Sequence, residues 1–167
     1  MCEFDLGLGT KSARVYHSLA TVAFKEGNLK AVEEYELKAI QIHPEFWPAH
    51  LFLTKLYLTL EDFDKAEESL GLYGKLRPNT VVELESRGWI KFGREDFEAA
   101  ERIFSEVSLK GVGSEGSILG LYCVAKSLNR EEVALRIAGR LSAKARQDIR
   151  FRKCSKLPGG FKTQPSL

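Results

Sequence analysis

The chain predicts an all-α fold, a right-handed superhelical solenoid of antiparallel helix pairs in about four repeats. Three observations carry this. First, Pro44 and Pro78 lie 34 residues apart, and the same step links Leu29, Phe63 and Phe97, then Val32, Ala66, Ala100 and Ala134, then Leu70 and Phe104. A fixed period of this length marks a stacked repeat. Second, apolar residues recur at helical spacing in short segments ended by Gly, Asn or Pro. Third, small residues (Ala20, Ala66, Gly88, Ala100, Ala134) stand where paired helices must approach closely.

Taken in order, residues 1–10 read as a flexible leader, because Gly7 and Gly9 discourage a helix there. From Lys11 to Lys25 the positions Val15, Leu19, Val22 and Ala23 keep helical spacing, and Gly27-Asn28 stops the run. A second helix, Leu29 to Ile42, ends at Pro44, which cannot continue it. The next pair covers Phe46 to Leu60 and Phe63 to Leu76, with Asp62 as the N-cap between them. A third pair covers Thr80 to Gly93 and Asp96 to Leu109. The last covers Ser114 to Leu128 and a single long helix from Arg130 to near Arg152. The helical domain is thus 11–152, and 153–167 is a flexible basic and polar tail. Each pair has an apolar face that it cannot bury alone, so the pairs stack.

Helix-sized halves, small alanines, a large apolar residue and a closing proline on one period resemble the tetratricopeptide repeat (TPR) family. The matching units are Ser12–Pro44, Glu45–Pro78, Asn79–Val112 and Gly113–Asp148. The second carries Leu53, Tyr57, Ala66, Leu70 and Pro78 at the family's spacing; the first shows Leu19, Gly27, Ala39 and Pro44. The third keeps Gly88, Ala100 and Phe104 but places Arg87 and Lys91 where apolar residues are usual. The fourth keeps Leu121 and Ala134. The resemblance implies a protein-binding module in which the first helix of each pair lines a concave groove.

At 167 residues, with 44% hydrophobic and 29% charged residues, the chain is of ordinary globular composition. A net charge of +2 does not by itself imply a polyanionic partner. The apolar runs are too short to span a membrane. Cys2, Cys123 and Cys154 are odd in number and far apart, which argues against a disulfide framework and for a reducing, cytoplasmic location. The other reading of Cys2 is the lipidated first residue of a bacterial lipoprotein, and membrane attachment follows only from that reading.

No catalytic constellation stands out, so the chain is read as non-enzymatic and without a cofactor. Gly111-Val-Gly-Ser-Glu-Gly116 spells GxGxxG, but a helix around Phe104 and Val107 precedes it where a dinucleotide site needs a strand. An anion- or nucleotide-responsive regulator built on this loop is the alternative from another functional class. His17, His43 and His50 have no metal-ligand spacing with one another or with the cysteines, so no metal is expected. Cys123, among Leu121, Tyr122 and Val124, reads as a core or groove residue. Glu33, Glu67 and Glu101 follow the repeat and so reflect architecture.

The groove is more informative. Its inward candidates are His17, Thr21 and Phe24, then Leu51, Phe52, Lys55 and Leu58, then Val82, Glu85, Trp89 and Phe92, then Leu119, Cys123 and Lys126. The partner-binding set is Phe24, Leu51, Phe52, Lys55, Leu58, Val82, Trp89, Phe92, Leu119 and Lys126. The row holds no Asn or Arg, which argues against the carboxylate clamp with which some family members grip chaperone C-termini. It suits a partner's amphipathic helix or extended segment, with Trp89 and Phe92 as anchors or else packed between helices. Lys144, Arg146, Arg150, Arg152, Lys153 and Lys156 stand against Asp148 in the C-terminal stretch, a solvated cap with too few aromatics for a nucleic-acid site. Val133, Leu135 and Ile137 on the last helix would allow two copies to pair.

From Thr80 to Leu141 the chain is also similar to the last repeats of the type IV pilus biogenesis lipoproteins (pilotins). The residues concerned are Arg94-Glu-Asp-Phe-Glu-Ala-Ala, the Gly111–Gly116 loop, Ser117-Ile-Leu-Gly-Leu and Ala125-Lys-Ser. That resemblance implies a lipoprotein on the periplasmic face of the outer membrane that aids secretin assembly.

Overall fold

The computed structural model describes residues 3–109 and 115–156. Among these the chain is helix and turn, without strand. Helices α1 (Glu3–Lys25), α2 (Leu29–Ile42), α3 (Trp47–Thr59) and α4 (Phe63–Leu76) are followed by α5 (Val81–Gly93), α6 (Phe97–Leu109), α7 (Glu115–Ser127) and α8 (Glu131–Ala138). Two short helices, α9 (Ala143–Arg146) and α10 (Ile149–Ser155), complete the described chain.

The period seen in the sequence is kept to the residue. The second helices of the pairs begin at Leu29, Phe63, Phe97 and Glu131, and the first helices end at Lys25, Thr59, Gly93 and Ser127. In every intervening turn one residue takes a left-handed conformation: Gly27 (φ 76°), Glu61 (φ 59°), Glu95 (φ 61°) and Asn129 (φ 57°). Only the first is the glycine that this conformation favours. The residue just before the helix start acts as a cap where it can: Asn28 accepts from the Ala31 N–H at 3.2 Å, Asp62 from Lys65 at 3.2 Å and Asp96 from Ala99 at 3.2 Å. Such caps satisfy amides that have no partner within the helix.

The chain forms two compact units, Met1–Glu83 and Leu84–Leu167. In the first, α1 packs on α2, α2 on α3 and α3 on α4. Its core holds Ala13, Ala20, Val32, Ala39, Ala49, Leu53, Leu56, Ala66 and Leu70, all buried. Alanine at Ala20, Ala39 and Ala66 lets the helix axes close up, and burying Leu56 alone is worth about 1.5–3 kcal/mol. The Tyr57 hydroxyl donates to Glu33 Oε1 at 2.8 Å, tying α3 to α2.

In the second unit, α6 and α8 pack on α7, and α10 lies on a further side of α7. Fully buried Phe104 organises it. A Cβ at Gly88 would come within 2.6 Å of its ring, and one at Gly120 within 2.5 Å. Glycine is required at both positions because the ring fills the space a side chain would take. Ala100 and Val124 complete this cluster, against which Trp89, Phe92, Phe97, Leu121 and Leu128 pack. Arg87 is exposed, and Lys91 reaches Asp96 at 3.8 Å, so neither puts an unpaired charge in a core.

Three expectations change. The cysteine count argued against a disulfide, yet Cys123 of α7 and Cys154 of α10 form one, with Cα atoms 5.2 Å apart and a sequence separation of 31. Folding brings together two cysteines that no sequence spacing pairs, and the third, Cys2, lies outside the described residues. The single helix expected from Arg130 is broken into α8, α9 and α10. Ser142 accepts from the Ala145 N–H at 3.1 Å and Asp148 from the Arg150 N–H at 2.8 Å, so each starts a new helix rather than continuing the old one. At the other end, α1 reaches back to Glu3, inside the stretch read as a leader. Most of the Gly111–Gly116 loop and residues 157–167 of the tail lie outside the described residues.

Candidate partner-binding face

In the first unit the predicted groove positions lie on α1 and α3. Phe24 is 47% exposed and meets the Phe52 ring edge-on, with ring centres 5.7 Å apart. The His17 ring lies 5.6 Å from Phe52 and 5.7 Å from Phe46, again edge-on to each. Phe24, Phe52, Phe46 and His17 are thereby drawn into one aromatic group. Leu51 and Leu58, half-buried, and Lys55, exposed, share α3 with Phe52. The Thr21 hydroxyl is turned back on its own helix, donating to the His17 carbonyl at 3.0 Å. Val82 is exposed at the start of α5.

Beneath this face lies a group the sequence reading did not single out. Glu36 of α2 is fully buried, and its Oε1 is 2.7 Å from His17 Nδ1. Its other oxygen, Oε2, has no hydrogen-bond partner among the described residues. Burial raises the Glu36 carboxyl above its ordinary value, and the His17 contact only partly offsets this. One repeat on, the same position holds Leu70, and two repeats on Phe104, both buried. The acidic break in an apolar column was the signal available in the sequence.

The second unit treats its predicted positions differently. Trp89 and Phe92 are half-buried. The Trp89 ring lies 5.2 Å from Phe104 and 5.7 Å from Phe92, and the Arg150 guanidinium sits over it at 4.7 Å. Leu119 is buried in a cluster with Tyr122, Cys123, Ala145 and Cys154. Phe151 of α10 stacks on Tyr122 with ring centres 4.7 Å apart. Lys126 is ion-paired with Glu131 and mostly covered. Glu85 accepts from the Ser117 hydroxyl at 2.7 Å. The Arg150 guanidinium, bonded to Asp148 at 2.7 Å and 3.0 Å, holds that carboxyl below the usual range. The chain's own C-terminal helices therefore cover the α7 side chains that the sequence assigned to a partner.

Among the described residues no group of three or more His, Cys, Asp or Glu side chains is placed to hold a metal ion. No helix there is long and apolar enough to cross a membrane.

No protein-family model matches the chain, and no curated protein matches its sequence. Among solved structures it is similar to the crystal structure of PilW, a widely conserved type IV pilus biogenesis factor. The TM-score is 0.66 at 17% sequence identity, over 77% of this chain and 60% of that one. The fold is of the tetratricopeptide type. This chain spans about 60% of the length of the PilW chain, and the likeness speaks to the fold.

Proposed function

We propose that this chain is a non-enzymatic adaptor or assembly factor of type IV pilus biogenesis, binding an apolar helix or extended segment of a partner on the α1–α3 face. The observation that carries the binding mode is the aromatic group of exposed Phe24 with half-buried Phe52 and His17, on helices whose counterparts in such repeats line the groove. Large aromatic side chains held at a face are the usual anchors of an interface. The pilus assignment is supported by the likeness to PilW. The Cys123–Cys154 disulfide supports an oxidising compartment, the periplasmic side of a bacterial envelope rather than the cytoplasm.

The test is affinity capture from an envelope extract of the source organism, wild type beside Phe52→Ala, with the retained proteins identified by mass spectrometry. Secretin or other pilus components should be retained by wild type and lost by the variant. Retention of cytosolic proteins alone would overturn the pilus assignment. Equal retention by both proteins would overturn the α1–α3 face as the binding surface.

A further inference from the structure

The His17–Glu36 pair places a polar group among the aromatic side chains Phe24, Phe46 and Phe52 of the α1–α3 face. Glu36 occupies a column whose other members, Leu70 and Phe104, are apolar core residues, so the fold has no need of an acid there. Burying a carboxylate is costly unless its charge is matched, and replacing such a pair by apolar residues commonly leaves a protein no less stable. Among the described residues the Glu36 side chain has one hydrogen-bond partner, His17 Nδ1 at 2.7 Å, and Oε2 has none.

The proton count on this pair fixes what the face presents. The arrangement of lowest cost in a core is net neutral, and it can be drawn in two ways. Either an imidazolium donates from Nδ1 to the carboxylate, or the protonated carboxyl donates to Nδ1 of a neutral ring. In both, Nε2 carries a hydrogen and is a donor. The His17 side chain is 28% exposed, between the edges of Phe46 and Phe52, and Nε2 has no partner among the described residues. Lys55, on the same helix as Phe52, adds an exposed positive charge. A donor flanked by phenylalanines, with an exposed lysine three residues on from one of them, suits an acceptor that is itself anionic.

We infer that His17 is the polar recognition point of the α1–α3 face, donating from Nε2 to an aspartate or glutamate carboxylate that lies between apolar residues of the bound segment. Glu36 is its positioning residue, fixing which ring nitrogen faces outward. The inference rests on the reading of α1–α3 as the partner face and adds the chemistry of the ligand.

The experiment uses a random dodecapeptide library displayed on phage, selected on the wild-type chain at neutral pH with the disulfide intact. Enriched peptides should carry an acidic residue between apolar ones. Their affinity should fall by about tenfold or more in His17→Phe and in Glu36→Leu, the loss expected for one charge-assisted hydrogen bond. Changing the peptide's acid to alanine should weaken binding to wild type but cause no further loss in either variant. Both variants should give cooperative thermal melts with midpoints well above the assay temperature, which separates lost recognition from lost folding. Peptides that need Phe52 but bind both variants as tightly as wild type would overturn the inference and leave the α1–α3 face standing. If no enriched peptide depends on Phe52, both readings fall.

Discussion

In the first unit, of the side chains assigned to the groove, Phe24 is 47% exposed and Lys55 is exposed, while His17, Leu51, Phe52 and Leu58 are half-buried. In the second, Leu119 is 2% exposed beneath α9 and α10, and Trp89 carries the Arg150 guanidinium. Both units are built from the same helix pairs on the same period. The difference comes from the chain beyond the last pair: a break at Gly139 to Ser142, a turn of helix, and a segment fastened back onto α7 through Cys154. A repeat fixes which positions are able to face a partner. Whether they do so depends on neighbouring chain that the repeat does not contain.

The largest expected effect tests the fastening. Replacing Cys154 by serine opens a loop of 31 residues, and chain entropy alone puts the loss at about 3–4 kcal/mol. Amide hydrogen exchange should show α10 and α7 losing protection while α1, α2 and α3 keep theirs. Equal loss in both units would break the comparison, since it would make the disulfide a support of the whole chain.

A smaller loss is expected at the Phe104 wedge. Gly120→Ala forces the ring to move, and overpacking of this kind costs about 1–3 kcal/mol. Ala100→Phe, at a position that is fully buried, belongs to the same range. Denaturant titration measures both. An unchanged midpoint for Gly120→Ala would mean that Phe104 is free to shift and is not the organising contact of the second unit.

In the first unit a substitution in the core should go the other way. Replacing both members of the pair, His17→Phe together with Glu36→Leu, is expected to raise stability by about 1 kcal/mol, as found when buried ionic pairs give way to apolar residues. Its sign with pH is also fixed. Glu36 has its folded value raised above the ordinary 4.5, so its contribution is fully present below that value and is lost as pH rises through the folded one. Thermal melts of wild type and Glu36→Leu should therefore diverge as pH rises from the acid side. Asp148, in the second unit, is lowered instead, so its contribution is present above its ordinary 3.8 and lost as pH falls. Parallel melts for wild type and Glu36→Leu would remove the buried acid as a distinguishing feature of the first unit.

The smallest effect separates the turns. Glu95→Gly relieves a left-handed backbone at the cost of glycine's extra chain entropy, for a net gain of about 0.5 kcal/mol. Gly27→Ala, at the equivalent turn of the first unit, should be destabilising, because nothing crowds the site and only the backbone conformation is at issue. Calorimetry on the pair sharpens the comparison to a single turn.

Much of this protein was legible from residue order alone. The 34-residue period set the helix pairs, with Asp62 capping α4 and Pro44 closing the first repeat, and the alanine column from Ala66 to Ala134 is buried as the spacing implied. These are local or nearest-neighbour matters, in which each side chain meets residues a fixed step away. The period also picked out Phe24 and Phe52, which do come together. What it did not contain was any long-range pairing outside the repeat. Cys123 finds Cys154, Phe151 finds Tyr122 and Arg150 finds Trp89 only because the chain turns back after α8, and no periodicity encodes a turn that occurs once. The charge of Glu36 was visible as a break in an apolar column, but that His17 meets it from the preceding helix is a fact of helix packing. Sequence determined the repeat because the repeat is periodic; tertiary structure decided which of its faces stay open, because that depends on contacts that happen only once.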